Sequence, residues 1–512
     1  MRRAWATLAA GLLLACGTAA LAEDQPVKVR IDSGVIVGRA SGEMETFKGV
    51  PFAAPPVGDL RWRPPQPAAA WSGEKDAGQF GPACMQPVRL DGRINGGGYS
   101  GPTSEDCLNL NVYAPKNARR APVMIWIYGG ANLYGANSVA SYDGTAFARD
   151  GVVLVELNYR LGALGFFAHP ALTKDARPGE ALANYGLMDQ VAGLQWVKRN
   201  VAAFGGDPNN VTVFGESAGG INILALMTSP EAKGLFQKAI VESGGGWLKA
   251  DSLAEAQAKG QALVQKAGVL PTASAADLRA IPAETLISLP GARGGPTLAV
   301  DGHVLPLQPA QAYANGQAMR LPLMIGSNSY EASLMRAFQM DPAGFLAVFP
   351  EPIKAAYADQ GDVGGQASAL FTDAVMGAPA RWIAARNAEG ARSWLYYFSY
   401  VRVAQRANLP GANHASEIPY VFDSQDAIPV YSREIVDTDR ALAKVMHACW
   451  VAFAKAGAPR CDGAPDWPAY SPAKDELMEF GQAVRLDQHF RKERYDLLDQ
   501  AEKARLSLSG GD

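Results

Sequence analysis

A serine between two glycines, in the segment Gly-Glu-Ser-Ala-Gly at residues 215–219, is the clearest candidate nucleophile in this 512-residue chain. A strand-like run, 211–214, precedes the segment, and an apolar stretch of helical character, 218–227, follows it. A serine on a sharp strand-to-helix turn has its hydroxyl raised above a sheet, and flanking glycines leave room for neighbouring backbone. A glycine-rich turn with an idle serine is the alternative. The strand and helix around the motif favour Ser217 as a nucleophile.

A serine hydroxyl is a weak nucleophile at neutral pH, so it needs a general base, usually a histidine oriented by a carboxylate. Where the nucleophilic serine lies on such a strand-to-helix turn, the acid and then the base follow the serine along the chain. Of the five histidines, this order leaves His414, His447 and His489. His447 lies in a helical pattern, typical of a packed or surface histidine, and His489 lies in a charged C-terminal stretch. His414 follows the strand-like run 394–398, so we predict that it is the base.

The acid should also follow a strand and precede the histidine. Glu331 does so, because it comes shortly after the apolar run 321–325. A charge that caps the N-terminus of a helix is the alternative interpretation of this glutamate. We predict that Glu331 is the acid behind the base.

Attack on a carbonyl develops negative charge on its oxygen, which backbone N–H groups must stabilise. One donor is expected at Ala218, directly after the serine, and others in a glycine-rich loop after an earlier strand. The segment Ile-Trp-Ile-Tyr-Gly-Gly-Ala-Asn at 125–132 supplies such a loop. Phosphate binding is the competing function, but the G-x-G-x-x-G spacing and a P-loop lysine are missing. The loop is therefore predicted to form an oxyanion hole.

Several apolar runs of strand length must position these residues. They are residues 123–127, 152–157, 211–214, 239–241, 321–325 and 394–398. Helical stretches such as 184–201 lie between several of them, and non-alternating strands separated by helices imply a mostly parallel sheet covered on both faces. This is the doubly wound α/β class, in which ligands lie at the carboxyl ends of the strands. Residues 27–54 alternate apolar and polar positions around turn residues, which predicts an antiparallel hairpin at a sheet edge.

Composition excludes several classes of function. The chain is 48% hydrophobic and 19% charged with a formal net charge of -3, so it has no basic surface for nucleic acid and no polybasic membrane patch. Beyond the N-terminus, no uninterrupted apolar stretch reaches the roughly 20 residues that a membrane span needs. There is no internal repeat or composition break, so we expect one domain over 23–512.

The first 22 residues are typical of a signal peptide. Arg2 and Arg3 precede the apolar run 8–15, and Ala-Leu-Ala ends the segment at 20–22. We predict a mature chain that begins at Glu23 and is periplasmic or secreted. The alternative is a lipoprotein, in which Cys16 is acylated and anchors the chain.

Four cysteines remain after the signal segment: Cys84, Cys107, Cys449 and Cys461. An even number of cysteines in an oxidising compartment predicts two disulfides. Four buried free thiols are the alternative.

These segments together resemble the type-B carboxylesterase and cholinesterase-like family of α/β-hydrolases over nearly all of the mature chain. Further matching segments are residues 47–53, 60–62, 104–112, 158–160, 184–190 and 204–208. The resemblance implies an α/β-hydrolase fold, with a mostly parallel central sheet, helices on both faces and long loop excursions. It also implies a serine carboxylic ester hydrolase that forms an acyl-enzyme on small-molecule esters.

The resemblance assigns roles to individual residues. It implies that Ser217, Glu331 and His414 form a catalytic triad, with oxyanion donors at Gly130, Ala131 and Ala218. Ser243 and Glu216 would support the triad from outside it, and Trp247 would belong to the acyl pocket. Cys84 and Cys107 would form a disulfide. Cys449 and Cys461 would then form a second bond. A triad of this kind needs no metal and no organic cofactor.

Two departures from the family pattern bear on the substrate. Ala131 stands where many members have a third glycine, which argues against bulky tertiary-alcohol esters. Cholinesterases have a tryptophan for the quaternary ammonium between the first two cysteines, whereas residues 84–107 contain only Tyr99 as an aromatic. We therefore expect neutral short-to-medium or aryl esters rather than choline esters.

Two other functions compete with ester hydrolysis. The family includes binding modules whose triad has decayed, but here every triad residue and the oxyanion loop are present. Amide, thioester or carbamate hydrolysis would use the same residues, and the sequence does not separate these from ester hydrolysis because the leaving group is selected by pocket shape.

Overall fold

The computed structural model describes residues 25–89, 93–247, 249–289 and 298–509. The predicted signal segment, including Cys16, lies outside these residues. Within them, none of the helices combines the length and the apolar character that a membrane crossing requires.

The strands follow one another from the N-terminus to near the C-terminus. They are β1 Gln25–Ile31, β2 Gly34–Ser41, β3 Met44–Pro51, β4 Glu74–Asp76, β5 Ala83–Cys84, β6 Thr103–Ser104, β7 Asn109–Pro115, β8 Ala121–Ile127, β9 Val153–Leu157, β10 Gly206–Glu216, β11 Lys238–Glu242, β12 Asp251–Ser252, β13 Ala299–Val300, β14 Leu323–Asn328, β15 Ser393–Phe398, β16 Glu476–Phe480 and β17 Val484–Gln488. Each of the six apolar runs noted in the sequence overlaps one of the strands β8, β9, β10, β11, β14 and β15.

One large sheet contains most of these strands. Its order is β1-β2-β3-β7-β9-β8-β10-β11-β14-β15-β16-β17, with β4 beside β2. The strands from β9 to β16 in this order are parallel, and the pairs toward both edges are antiparallel except for the parallel β2–β4 pair. The mostly parallel α/β sheet predicted from the sequence is thus confirmed, as is the antiparallel β1–β2 hairpin at one edge.

Helices separate the parallel strands. They are α1 Thr145–Arg149, α2 Gly162–Gly165, α3 Pro170–Asp175, α4 Tyr185–Asn200, α5 Ala218–Leu226, α6 Leu253–Gln265, α7 Ala275–Arg279, α8 Ala283–Ser288, α9 Pro309–Ala314, α10 Ser333–Ala337, α11 Pro342–Ala347, α12 Glu351–Ala355, α13 Val363–Phe371, α14 Ala378–Ala388, α15 Ile418–Val421, α16 Asp437–Ala456 and α17 Lys492–Ser509. Every residue of β9, β11, β14 and β15 is buried, as expected for strands covered on both faces.

An aromatic cluster fills the core beside the central strands. Trp126 of β8 packs against Phe214 of β10 and against Phe422, with ring centroids 4.8 and 4.9 Å apart. Phe147 of α1 also contacts Phe214 and Phe422, with ring centroids 5.6 and 5.3 Å apart. These rings hold β10 in place just below the point where it ends at the serine motif.

Both pairs of cysteines are joined, Cys84 to Cys107 and Cys449 to Cys461. The first bond closes the excursion that contains Tyr99. That tyrosine is 8% exposed, its hydroxyl donates to the carbonyl of Pro102 at 2.7 Å, and its ring lies in a small cluster with Ala83 and Ala136. Tyr99 is therefore part of the packing of this excursion.

Candidate active site

Ser217 lies at a sharp turn between β10 and α5. Its backbone has φ 55° and ψ -123°, a left-handed conformation that a side chain disfavours, and its N–H donates to the carbonyl of Glu242 on β11 at 2.8 Å. A Cβ at Gly215 would come within 2.4 Å of the carbonyl oxygen of Ile127, and one at Gly219 within 1.9 Å of the same oxygen. Only glycine fits on either side of the serine, as the motif predicted.

Glu331 follows β14, and its carboxylate contacts the ring of His414. Its Oε2 lies 2.6 Å from Nδ1 of His414, and its Oε1 accepts from the Ser243 hydroxyl at 2.6 Å and from the Asn328 N–H at 2.7 Å. The side chain is fully buried. The carboxylate is thus committed to the histidine and to two donors that fix its orientation, one of which is the predicted Ser243.

The other ring nitrogen of His414, Nε2, lies 3.0 Å from Oε1 of Glu216. The angles at this contact are not those of a hydrogen bond, and Nε2 has no hydrogen-bond partner among the described residues. Because Glu216 directly precedes Ser217, Nε2 lies beside the turn that carries the serine. The Nδ1 side of the ring is fixed, and the Nε2 side is available to accept a proton.

Burial by itself would lower the pKa of His414, but the nearby charges of Glu216 and Glu331 outweigh burial and raise the pKa well above its usual range. Two further carboxyls lie close by. Burial raises the pKa of Glu242 to about 8, although the Trp450 indole N–H donates to it at 2.7 Å. Burial and the neighbouring glutamates raise the pKa of Glu417 well above its usual range. At neutral pH, Glu242 therefore retains a proton that an exposed carboxyl would lose.

The glycine-rich loop after β8 lies against the serine turn. A Cβ at Gly129 would be 2.9 Å from Cβ of Ser217, so the two segments are in contact. Gly130 and Ala131 have positive φ values of 92° and 58°, and their N–H groups donate to none of the described acceptors. Ala218 is the first residue of α5, where an N–H has no acceptor within the helix. All three predicted oxyanion donors thus have N–H groups that are free to bind a ligand oxygen.

Trp247 lies five residues beyond the end of β11, where it packs against both the main core and a second apolar cluster. It is half-buried, and its ring meets the ring of Trp382 edge to face with centroids 6.3 Å apart. It therefore lies at the boundary between the two apolar clusters.

The remaining candidate histidines lie elsewhere. His447 is buried in α16, where Nδ1 is 2.7 Å from the carbonyl of Val421 and Nε2 is 3.1 Å from Asp150. His489 is exposed. His414 is therefore the histidine that the structure brings to Glu331 and to the serine turn. No group of three or more potential metal-ligating side chains occurs among the described residues.

Several polar residues of this region were not predicted from the sequence. Glu242 and Glu417 join the carboxyl cluster, and Asn132 and Asn222 bond to each other between the glycine-rich loop and α5. A signal for Glu242 existed, since it directly precedes Ser243 at the end of a strand. The pairing of Asn132 with Asn222 joins residues 90 positions apart, so only the folded chain reveals it.

The chain is similar to known proteins over most of its length. The sequence matches the Carboxylesterase family over residues 25–354 and 351–498. It is 38% identical over 487 residues to a fumonisin B1 esterase of Sphingopyxis macrogoltabida, covering 90% of this chain and 88% of that protein. It is 35% identical over 483 residues to a para-nitrobenzyl esterase of Bacillus subtilis, covering 89% and 94%. A solved structure of a PNB esterase superposes with a TM-score of 0.81 at 32% identity, covering 92% of this chain and 99% of that one.

Proposed function

The chain belongs to the carboxylesterase family, and from that premise we propose that it hydrolyses carboxylic esters with Ser217 as nucleophile, His414 as base and Glu331 as the acid behind the base. The observation that carries the proposal is the 2.6 Å contact between Nδ1 of His414 and the buried carboxylate of Glu331, next to a serine in a strained turn. A decayed binding module would have no reason to keep this strain and this buried charge.

Each step of the proposed reaction uses a group of this chain. His414 takes the hydroxyl proton as Ser217 attacks the ester carbonyl, and the carbonyl π electrons move to oxygen. The N–H groups of Gly130, Ala131 and Ala218 stabilise that oxyanion. His414 then gives the proton to the departing alcohol, which leaves an acyl group on the serine. Water activated by the same histidine attacks the acyl-enzyme, releases the acid and restores the serine.

Glu331 has an electrostatic role in this scheme. It fixes the tautomer in which Nδ1 carries the proton and Nε2 is free, and it stabilises the imidazolium that forms in each step. Ser243 supports the carboxylate by donating to its second oxygen, at 2.6 Å. Glu216 adds negative charge 3.0 Å from Nε2, which further favours the imidazolium.

We propose neutral short-to-medium or aryl esters as substrates. Trp247 offers one broad apolar wall, suited to a phenyl or a short alkyl acyl group. Tyr99 is buried and bonded to Pro102, so it offers no free aromatic face to a quaternary ammonium. The names of two similar proteins, a para-nitrobenzyl esterase and a fumonisin B1 esterase, support an ester as the substrate class.

The substrate class is tested by kcat/KM for acetyl, butyryl, benzoyl and palmitoyl esters of p-nitrophenol, with butyrylcholine alongside. Each added methylene that fits contributes under about 1 kcal/mol, so kcat/KM should vary little among short chains and fall when the acyl group outgrows the pocket. A choline ester cleaved faster than a neutral ester of equal size, or palmitoyl as the best acyl group, contradicts the proposal.

We also propose that residues 1–22 are removed on export and that 23–512 forms a single hydrolase domain in the periplasm or outside the cell. The disulfides Cys84–Cys107 and Cys449–Cys461 support an oxidising destination. Intact-mass measurement of the exported protein tests this. We expect a chain that begins at Glu23 and has no alkylatable thiol, whereas a diacylated Cys16 would establish a lipoprotein.

A further inference from the structure

Asn132, in the loop after β8, and Asn222, in helix α5, face each other through their side-chain amides. Asn222 Nδ2 donates to Asn132 Oδ1 at 2.9 Å, and Asn132 Nδ2 donates to Asn222 Oδ1 at 3.4 Å. The two residues are 5% and 0% exposed. Because the hydrogen bonds are reciprocal, the pair fixes both the distance and the orientation between the loop and the helix.

The loop segment that contains Asn132 needs such a restraint. Gly130, Ala131 and Asn132 have φ values of 92°, 58° and 54°, so three consecutive residues occupy the left-handed region. Two of them have a Cβ, which disfavours that region, and such a conformation persists only where its surroundings over-determine it. The same residues include two of the proposed oxyanion donors. Any relaxation of this backbone would turn their N–H groups away from the oxyanion.

Further contacts hold Asn132 and the loop around it in place. The carbonyl of Asn132 accepts from the Gly162 N–H at 2.7 Å. The hydroxyl of Tyr159 donates to the carbonyl of Tyr128 at 2.7 Å and lies 3.3 Å from Oδ1 of Asn132. On the opposite side, Asn222 lies five residues after the nucleophile. The pair thus joins the helix that begins with one proposed donor, Ala218, to the loop that contains the other two.

We propose that Asn132 and Asn222 are positioning residues that hold the oxyanion loop at a fixed place relative to the nucleophile helix. This inference rests on the oxyanion role proposed above. Neither amide needs to touch the reacting atoms, because each acts through the backbone N–H groups it orients. Loss of the pair should therefore weaken binding of the transition state and leave binding of the ground-state ester nearly unchanged.

Two variants test the proposal from opposite sides. Asn222→Leu keeps the approximate side-chain volume but removes the donor and the acceptor that Asn132 needs. Asn132→Gly removes the other amide and at the same time relieves the backbone strain at φ 54°, so the fold should persist even if the first variant is unstable. The matched control is Asn387→Leu. Asn387 is also a buried helical asparagine, and it donates to the Leu321 carbonyl and the Ser393 hydroxyl, both at 2.9 Å, at the amino end of β15.

The measurements separate positioning from stability. For each variant, kcat and KM are measured with p-nitrophenyl acetate, and Tm is recorded. Inhibition is measured with an aryl trifluoromethyl ketone, whose carbonyl carbon accepts the serine oxygen while the π electrons form an oxyanion and the proton moves to His414. The corresponding secondary alcohol, which forms no such adduct, reports ground-state binding.

We expect Asn222→Leu and Asn132→Gly each to lower kcat by about 10- to 100-fold, with KM changed little. Ketone affinity should fall by a similar factor and alcohol affinity should not. The double variant should lose no more than the worse single variant, because the pair acts as a unit. Asn387→Leu should lower Tm and leave kcat at wild-type level below its Tm.

A wild-type kcat in both amide variants, or equal losses of ketone and alcohol affinity, would overturn the inference. Ser217→Ala, assayed in the same series, keeps the two proposals distinct. If Ser217→Ala is inactive and the amide variants are fully active, only the positioning role fails. If Ser217→Ala retains turnover, the proposed function itself fails.

Discussion

Two residues of strand β10, Phe214 and Glu216, illustrate how differently the aromatic core and the candidate active site are built. Phe214 is buried among Trp126, Phe147 and Phe422, where apolar contact stabilises the fold. Glu216, two residues later, is equally inaccessible, yet it lies 3.0 Å from His414 and pairs across the sheet with Glu242. Burying carboxyls together destabilises a protein, whereas burying rings stabilises it. The carboxyl group at the end of the strand therefore destabilises the fold, and the aromatic cluster offsets this cost.

The largest expected effect is a loss of kcat when Ser217 or His414, at the carboxyl ends of the strands, is replaced. Ser217→Ala and His414→Ala should each lower kcat by roughly 10⁴-fold or more, because nucleophile and base act as a unit. Circular dichroism should remain near wild-type in both variants, since neither side chain belongs to the aromatic cluster, whereas Tm should fall in His414→Ala because the buried carboxylate of Glu331 loses its partner. His447→Ala serves as the control, with kcat retained. Loss of turnover in His447→Ala with turnover retained in His414→Ala would show that the base is misassigned.

The aromatic cluster should respond in the opposite way. Phe147→Ala removes a fully buried ring that contacts Phe214 and Phe422, and we expect it to lower the free energy of unfolding by about 3–5 kcal/mol. At a temperature where the variant stays folded, kcat should be within a few-fold of wild-type. Urea denaturation and an active-site-normalised assay check both halves of this prediction. A stable Phe147→Ala enzyme with a large loss of kcat would contradict the contrast between an aromatic cluster that stabilises the fold and an active site that determines kcat.

A third prediction concerns the charge on Glu216. Its carboxylate helps to raise the pKa of His414, and a protonated histidine cannot act as a base. Glu216→Gln should therefore lower that pKa and shift the acid limb of the kcat/KM profile to lower pH. Glu417→Gln is the matched control, because Glu417 is a buried neighbour whose pKa burial raises well above its usual range, which favours the uncharged form. An acid limb that stays in place, or moves to higher pH, in Glu216→Gln would count against this electrostatic account.

The smallest effect is a gain in stability at Glu242. Burial raises its pKa from 4.5 to about 8, so the unfolded chain ionises this group before the folded chain does. The free energy of unfolding consequently falls as pH rises from about 4.5 through 8. Glu242→Gln keeps an acceptor for the Trp450 N–H and removes the ionisation. We expect Tm to rise by roughly 1–3 °C at pH 9 and to change little at pH 5. An equal change in Tm at both pH values would contradict the assigned pKa.

Much of this organisation could be predicted from the sequence because it is local. The strand, the G-x-S-x-G motif and the following helix are contiguous, so the amino-acid pattern alone locates Ser217 and its turn. A simple rule locates Glu331 and His414, since each follows an apolar run of strand length. The six runs form the strands of the parallel sheet because successive apolar residues suit a strand that is covered on both faces.

The parts that escaped prediction depend on contacts between distant segments. Strand β7 contains Asn109 and Asn111, which look like exposed polar positions until the fold buries them with hydrogen-bond partners. Glu242 is a neighbour of Glu216 only because β11 lies beside β10 in the sheet. A pattern within one segment cannot show which strand or loop will lie opposite it.

The central claim, that Ser217 is activated by His414, is tested most directly by labelling with a fluorophosphonate. Its phosphorus bonds to the nucleophilic serine oxygen and fluoride departs. We predict one label per chain, located on the peptide that contains Ser217, with labelling abolished in Ser217→Ala and slowed by orders of magnitude in His414→Ala. A label on another residue, or undiminished labelling of Ser217→Ala, would contradict the account.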